Sequence, residues 1–77
     1  MLSPVDRDVL YHLLTRGDDA PANIADSTGR ARANVSQRLS SLSDDGYVRS
    51  KGAGVWTLTL KGVSAAHEVA RDRESDE

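Results

Sequence analysis

The sequence predicts an α+β domain with a three-helix core, a two- or three-stranded β-wing and a C-terminal helix. Two short helical segments are hinged at Gly29, a glycine-punctuated hairpin follows them, and the middle of the chain has a net positive charge between two flanks of net negative charge. This order of elements is that of a winged helix-turn-helix. We expect the domain to fill residues 1–70 and a polar, disordered tail to occupy residues 71–77.

Local capping signals mark the first helix. Ser3 offers a hydroxyl N-cap, and Pro4 occupies the first helical position, where its missing N–H costs nothing. Apolar residues then recur at three- and four-residue spacing until Arg16-Gly17 stops the helix. They are Val5, Val9, Leu10, Leu13 and Leu14. This helix is expected to build the core.

Two shorter helical segments follow. Pro21 opens the second helix, Ile24 and Ala25 are its natural buried residues, and Gly29 can end it in a left-handed C-cap. The third helix is expected from about Arg32 to Asp44. Its inward stripe is Val35, Leu39 and Leu42, and its outward residues are Arg32, Ala33, Ser36, Gln37, Ser40 and Ser41.

The rest of the chain predicts a hairpin and a last helix. Apolar and polar residues alternate along 47–51 and 55–60, on either side of the turn Gly52–Gly54, which is typical of a β-hairpin. Trp56, Leu58 and Leu60 share a face, which we expect to lie on the core. Thr59 can cap the last helix, whose apolar stripe is expected to be Val63, Ala66 and Ala70.

Charge is sorted along the chain. Residues 30–61 hold six Arg and Lys against Asp44 and Asp45, a net charge of +4, whereas residues 1–29 and 62–77 are each −3. The chain has nine Asp, three Glu, eight Arg, two Lys and no Phe, a halophile-like surface composition in which excess carboxylates keep the protein hydrated. Cysteine is absent, so a cytoplasmic setting is the default, and no apolar window approaches a membrane span.

Catalysis and metal binding find little support in the sequence. His12 and His67 have no carboxylate or second histidine at a ligand-like spacing, and no nucleophile lies beside a base. Asp18-Asp19 and Asp44-Asp45 are typical turn formers. We therefore expect no enzyme, no cofactor and no metal, and no small-molecule effector is evident.

An ordered series of residues resembles one family of regulators. The series is Ile24-Ala25, Gly29, Val35–Leu39 with Leu42, Gly46-Tyr47-Val48, and Trp56–Thr59 with Gly62. From Val5 to Val69 the chain resembles archaeal winged helix-turn-helix transcriptional regulators of the MarR/ArsR-like kind, and more narrowly the phage-repressor-type regulators of halophilic archaea. The resemblance implies a dimer on palindromic operators, with helix 3 in the major groove and the Gly52–Gly54 turn as the wing tip.

The same resemblance implies the site residues. Arg32, Ala33, Asn34, Ser36 and Gln37 would face base edges, with Arg30 and Arg38 beside the backbone. Two departures from the family pattern stand out. Ala31 replaces the usual Ser or Thr cap of helix 3, which loses about 1 kcal/mol, and the short wing offers only Arg49 and Lys51 as phosphate ligands.

Physical chemistry supports this site independently. Arg32 can fork onto a guanine, and Asn34 or Gln37 can bind adenine through two hydrogen bonds. Ser36 and Ser40 are small enough for close approach to the bases. The alternative interpretation is that any amphipathic surface helix carries polar residues outside, and that charges on an edge strand prevent aggregation.

Two functions compete at this level. The first is a double-stranded DNA-binding transcriptional regulator, expected to be a repressor and a homodimer. Its dimer contact is expected on the first and last helices, through Leu2, Leu10, Val63 and Val69, and the alternatives are a monomer or a pair formed mainly through the first helix. The second is a winged-helix protein-interaction module without direct DNA binding, which would use the acidic flanks, including Asp6 and Asp8.

Overall fold

A computed structural model describes residues 1–75 of the chain. Its elements in chain order are α1 (Pro4–Arg16), α2 (Pro21–Thr28), α3 (Arg32–Asp44), β1 (Val48–Gly52), β2 (Val55–Leu58) and α4 (Leu60–Ser75). β1 and β2 form a two-stranded antiparallel sheet. The predicted α+β winged helix-turn-helix is confirmed, with two strands in its wing.

The start of α1 follows the predicted cap. The Ser3 hydroxyl accepts a hydrogen bond from the backbone N–H of Asp6 at 3.1 Å, and the Asp6 carboxylate accepts one from the backbone N–H of Ser3 at 2.9 Å. This reciprocal pair is a capping box, which satisfies two N–H groups that a helix start leaves open. Pro4 takes the first helical position, as expected.

The turn between α2 and α3 depends on Gly29. Its φ of 70° and ψ of 20° are left-handed, and its N–H donates to the carbonyl of Ala25. Residues with a Cβ avoid this conformation, so glycine is the residue that ends α2 and redirects the chain. α3 then begins without a side-chain cap, because its N-cap residue is Ala31.

One apolar core joins the helices to the sheet. Its buried residues are Val5, Val9, Leu10, Leu13, Ile24, Ala25, Val35, Leu39, Leu42, Val48 and Ala66. Val35, Leu39 and Leu42 are 0%, 0% and 1% exposed, so the predicted inward stripe of α3 is confirmed. Each fully buried side chain of this size stabilises the fold by about 1.5–3 kcal/mol.

The wing is attached to the loop that precedes α2. Asp19 donates its N–H to the carbonyl of Trp56 at 3.2 Å and accepts from the N–H of Trp56 at 2.8 Å. This bridge occupies the free edge of β2 next to the helices. Trp56 and Leu58 pack partly buried against the core, as predicted for that face of the hairpin.

The expectation that Leu60 lies on the core was wrong. Its side chain is 92% exposed, because the strand ends at Leu58 and α4 begins at Leu60. The Thr59 hydroxyl accepts from the N–H of Gly62 at 3.1 Å, so the predicted cap at Thr59 starts the helix and ends the strand alternation one residue before Leu60.

The inward stripe of α4 also differs from the expected one. Gly62, Ala66 and Val69 are buried, whereas Val63 and Ala70 are half-buried at its side. α4 approaches the backbone of Tyr47 closely at Gly62. No hydrophobicity pattern can show such a contact. α4 therefore meets α1 along a face turned from the expected stripe.

The end of α4 lies within the segment expected to be a disordered tail. Residues 71–75 are helical in the structure. Arg7 pairs with Asp72 at 3.0 Å, Arg73 pairs with Asp8, and the Arg73 guanidinium lies 4.2 Å from the ring centroid of Tyr11. These contacts to α1 give the polar end of α4 partners that the local composition does not reveal. Residues 76 and 77 of the expected tail lie outside the described residues.

Candidate nucleic-acid interface

The outward face of α3 is open to solvent. Arg32, Ala33, Asn34, Gln37 and Ser40 are exposed, and Ser36 is half-buried. All six belong to the predicted site and to one helix. Within the described chain the first turn of α3 contains no acidic residue. Arg32, at the start of the helix, takes part in no ion pair with any of residues 1–75. Its guanidinium is therefore available to a ligand.

The wing carries the second group of predicted cations. Arg49 and Lys51 are both exposed on β1, and Lys51 lies where the strand register is irregular. The ammonium of Lys51 donates to the Asp18 carboxylate at 2.8 Å, which lowers the pKa of Asp18. Among residues 1–75, Arg49 forms no ion pair. The wing thus presents one available cation and one that is already held by an acid.

Arg30 lies in the turn before α3 and is directed to α1. Its Nε and Nη2 atoms lie 3.0 Å and 2.9 Å from Oδ2 of Asp8. Asp8 also pairs with Arg73 from α4. One carboxylate therefore joins the helix-turn-helix to both flanking helices, and Arg30 would have to exchange this partner for a phosphate.

Arg38 makes the most buried of these contacts. Its Nε donates to Oδ1 of Asp6 at 2.7 Å, and its Nη2 donates to Oδ2 at 3.1 Å. The Asp6 side chain is 2% exposed and that of Arg38 is 33% exposed. Burial raises the pKa of Asp6, but hydrogen bonds from Arg38 and Ser3 outweigh it, so the pKa lies below its ordinary value.

The predicted cations therefore divide into two groups. Arg32 and Arg49 are without ion pairs within residues 1–75, whereas Arg30, Arg38 and Lys51 are paired with acids of the N-terminal flank. Those acids are Asp8, Asp6 and Asp18, which sequence reasoning did not assign to the site. The opposite charges of the flank and the middle block were the signal that they would meet.

Acidification tests the strength of the Asp6 pairing. Because the pKa of Asp6 is lowered in the folded state, its contribution is present above the unfolded-state pKa of about 4 and is lost as pH falls through the folded value. We expect the free energy of unfolding to fall as pH is lowered below about 5, and to fall less in Asp6→Asn. Urea unfolding at several pH values measures this.

Asp26→Asn is the matched control for the acid titration. Asp26 is exposed and belongs to no ion pair of residues 1–75. A pH dependence that is identical in wild type and Asp6→Asn would show that the pair with Arg38 does not form in solution.

His12 contacts the loop before α2, to which the wing is bridged. Its Nε2 lies 2.9 Å from Oδ2 of Asp19, and the imidazole is buried. Asp19 also accepts from Asn23 and from the backbone N–H of Ala20, and its pKa is lowered, chiefly by the His12 hydrogen bond. Among residues 1–75 no three His, Asp or Glu side chains are grouped so as to hold a metal ion. The contact with Asp19 gives His12 a structural role in this loop.

A cleft lies between α1, the end of α2 and α4, although the sequence indicated no ligand pocket. Its volume is about 260 Å³, and its lining includes Tyr11, Thr15, Thr28 and Arg73. Arg73 stacks on Tyr11 and pairs with Asp8 at its rim. Arg73 thus contacts two other residues that line the cleft. In the described part of the chain no helix is both long and apolar enough to cross a membrane.

This geometry agrees with sequence comparison. Residues 8–52 match the model of the IclR helix-turn-helix domain, a span that runs from α1 through α3 to the end of β1. The chain belongs to this family. It therefore contains the helix-turn-helix domain of a transcriptional-regulator family, and the predicted helix-turn-helix is confirmed. No curated protein matches the chain significantly in sequence.

Solved structures with the same fold include three bacterial proteins. Transcriptional regulator Tm0710 from Thermotoga maritima is 24% identical, with a TM-score of 0.79 over 96% of this chain and 56% of that one. ZitR from Lactococcus lactis is 27% identical, with a TM-score of 0.84 over 97% and 53%. A MarR family protein from Bacillus stearothermophilus is 22% identical, with a TM-score of 0.81 over 97% and 56%. The chain thus spans just over half the length of these proteins.

Proposed function

We propose that the domain binds double-stranded DNA sequence-specifically and represses transcription by occupying its operator. The observation that supports this most is the open face of α3, which carries Arg32, Asn34 and Gln37 and has no acid in its first turn. A helix enters the major groove only if its inward stripe fixes its tilt and its outward face is polar. α3 meets both conditions.

The outward residues have distinct roles in this proposal. Arg32 forks onto a guanine, and Asn34 or Gln37 pairs with an adenine edge. Ala33, Ser36 and Ser40 are small, so they allow the helix to approach the bases closely. Arg49 binds a phosphate directly, while Arg30 and Lys51 reach a phosphate after leaving Asp8 and Asp18.

Fluorescence anisotropy tests the proposal. The purified protein is titrated into a duplex from its own upstream region and into an unrelated duplex, across a series of salt concentrations. We expect tighter binding to the upstream duplex, weakening as salt rises because phosphate contacts release counterions. Absence of binding to either duplex by folded protein at low salt would rule the proposal out.

The Asp18–Lys51 pair makes a prediction about the wing. Asp18 competes with phosphate for Lys51, so Asp18→Asn is expected to tighten binding to both duplexes and to steepen the slope of log K against log salt by about 0.9. Asp26→Asn changes the net charge equally, but Asp26 belongs to no ion pair of residues 1–75. Equal effects of the two substitutions would mean that Lys51 makes no phosphate contact.

A homodimer is also part of the proposal. Leu10 and Val69, two of the four residues expected at the dimer contact, are 0% and 1% exposed, so they belong to the core of the single chain. That part of the expectation was wrong. Leu2, which precedes α1, and Val63, which lies on α4, are half-buried and are the contact proposed here. Two chains per upstream duplex, measured by sedimentation, is the expected stoichiometry.

The setting of the domain follows from its composition. We infer a cytoplasmic regulator of the halophilic archaeal kind, supported by twelve acidic residues against two lysines and by the absence of cysteine. The alternative, a protein-interaction module that uses the acidic flanks, has less support. Asp6 is buried, and both Asp8 and Asp18 are engaged by cations of the same chain.

A further inference from the structure

We propose that Asp6 positions the recognition helix: its carboxylate holds Arg38 and thereby sets the rotation of α3 about its own axis. Arg38 then orients α3 through its contact with Asp6 and is not the phosphate ligand that its place in the sequence suggested. This inference rests on the proposed function, since it concerns the accuracy with which α3 meets the bases.

The contact has the geometry of a positioning device. Both carboxylate oxygens of Asp6 accept from different nitrogens of one guanidinium, at 2.7 Å and 3.1 Å. Such a two-pronged pair constrains direction as well as distance, because guanidinium and carboxylate are both planar. A single ammonium contact, such as that of Lys51 with Asp18, lacks this constraint.

Asp6 is itself fixed to the fold. Its backbone N–H and one carboxylate oxygen are held by Ser3 in the capping box of α1, and the residue is 1% exposed. Its neighbours Val5 and Val9 are core residues. The carboxylate therefore cannot follow Arg38 if α3 turns. The acids that hold Arg30 and Lys51 are more exposed, at 23% and 38% of their side chains.

Arg38 lies on a third side of α3. Successive residues of a helix are about 100° apart, so Arg38 is directed neither with Gln37 towards solvent nor with Leu39 into the core. The apolar stripe fixes the depth and tilt of α3, and a side contact at mid-helix opposes rotation. Base-reading groups need orientations held within about 10–20°, so a small rotation is enough to misalign Gln37.

Three variants test this role against a phosphate contact. Arg38→Lys keeps the charge but cannot make the two-pronged contact, Arg38→Gln removes both, and Asp6→Asn removes the acceptor charge. Affinities for the upstream and the unrelated duplex are measured by anisotropy across a salt series. We expect all three to lower the ratio of the two affinities by about tenfold, the loss of one good base contact, with an unchanged salt slope.

A phosphate-binding Arg38 gives the opposite pattern. Arg38→Lys would then keep the wild-type ratio, Arg38→Gln would reduce the salt slope by about 0.9, and Asp6→Asn would tighten binding by releasing Arg38. That result would overturn the inference. So would an equal loss of affinity for both duplexes that matches the unfolded fraction from urea titrations, because the pair would then be only stabilising.

The wild type separates this inference from the function beneath it. If wild type discriminates between the duplexes and Arg38→Lys does so equally, only the positioning role fails. If wild type binds neither duplex, the proposed function fails and takes the inference with it.

Discussion

Replacing Arg32 and Gln37 together by alanine is expected to lower discrimination between the upstream and the unrelated duplex by about a hundredfold. Each side chain can make a two-hydrogen-bond contact with a base edge, worth about 1–3 kcal/mol of discrimination. Arg32 is without an ion pair in residues 1–75, and both side chains are exposed, so their removal leaves the core intact. Anisotropy with the two duplexes measures the ratio directly.

The matched control for this variant is on α4. His67 and Arg71 are exposed on α4, and their joint replacement by alanine removes one arginine and one other polar side chain, as the test variant does. We expect this control to keep the wild-type ratio. A double variant on α3 that discriminates as well as the control would mean that another surface reads the sequence.

Gly62→Ala is expected to lower the free energy of unfolding by about 3 kcal/mol or to prevent folding. A Cβ at this position would lie 1.9 Å from the carbonyl oxygen of Tyr47 and 2.9 Å from its carbonyl carbon. The same oxygen accepts from the N–H of Thr59 at 3.1 Å, so it cannot move without loss of that bond. Helix propensity alone predicts the opposite sign, a gain of about 1 kcal/mol.

Ser64→Ala provides the control for Gly62→Ala. Ser64 lies exposed in the same helix, and its replacement is expected to change stability by less than about 0.5 kcal/mol. Urea unfolding followed by circular dichroism compares the variants. If Gly62→Ala is as stable as Ser64→Ala, the close approach of α4 to Tyr47 is absent in solution.

Local signals predicted the helices well. The bounds of α1 and α2 agree with the caps at Ser3-Pro4, at Pro21 and at Gly29, because each cap acts over three or four residues and is visible as a short motif. The inward stripe of α3 was visible for the same reason. Its spacing belongs to one helix and needs no partner to be recognised.

Two kinds of structural feature could not be predicted from these local signals. At Leu60 the strand alternation and the Thr59 cap made competing predictions, and the structure follows the cap. The partners of Arg30, Arg38 and Lys51 lie 22, 32 and 33 residues away in sequence. No local pattern specifies such contacts, so the paired and unpaired cations of the site could be distinguished only in three dimensions.

The backbone bridge between Asp19 and Trp56 limits how far the wing can move relative to the helices. Because this bridge holds the base of the wing against the loop before α2, we expect the distance between α3 and the wing to vary little. A protein of fixed span favours duplexes whose grooves already have the right separation. We therefore expect operator choice to depend on the intrinsic shape of the DNA as well as on the bases that α3 contacts.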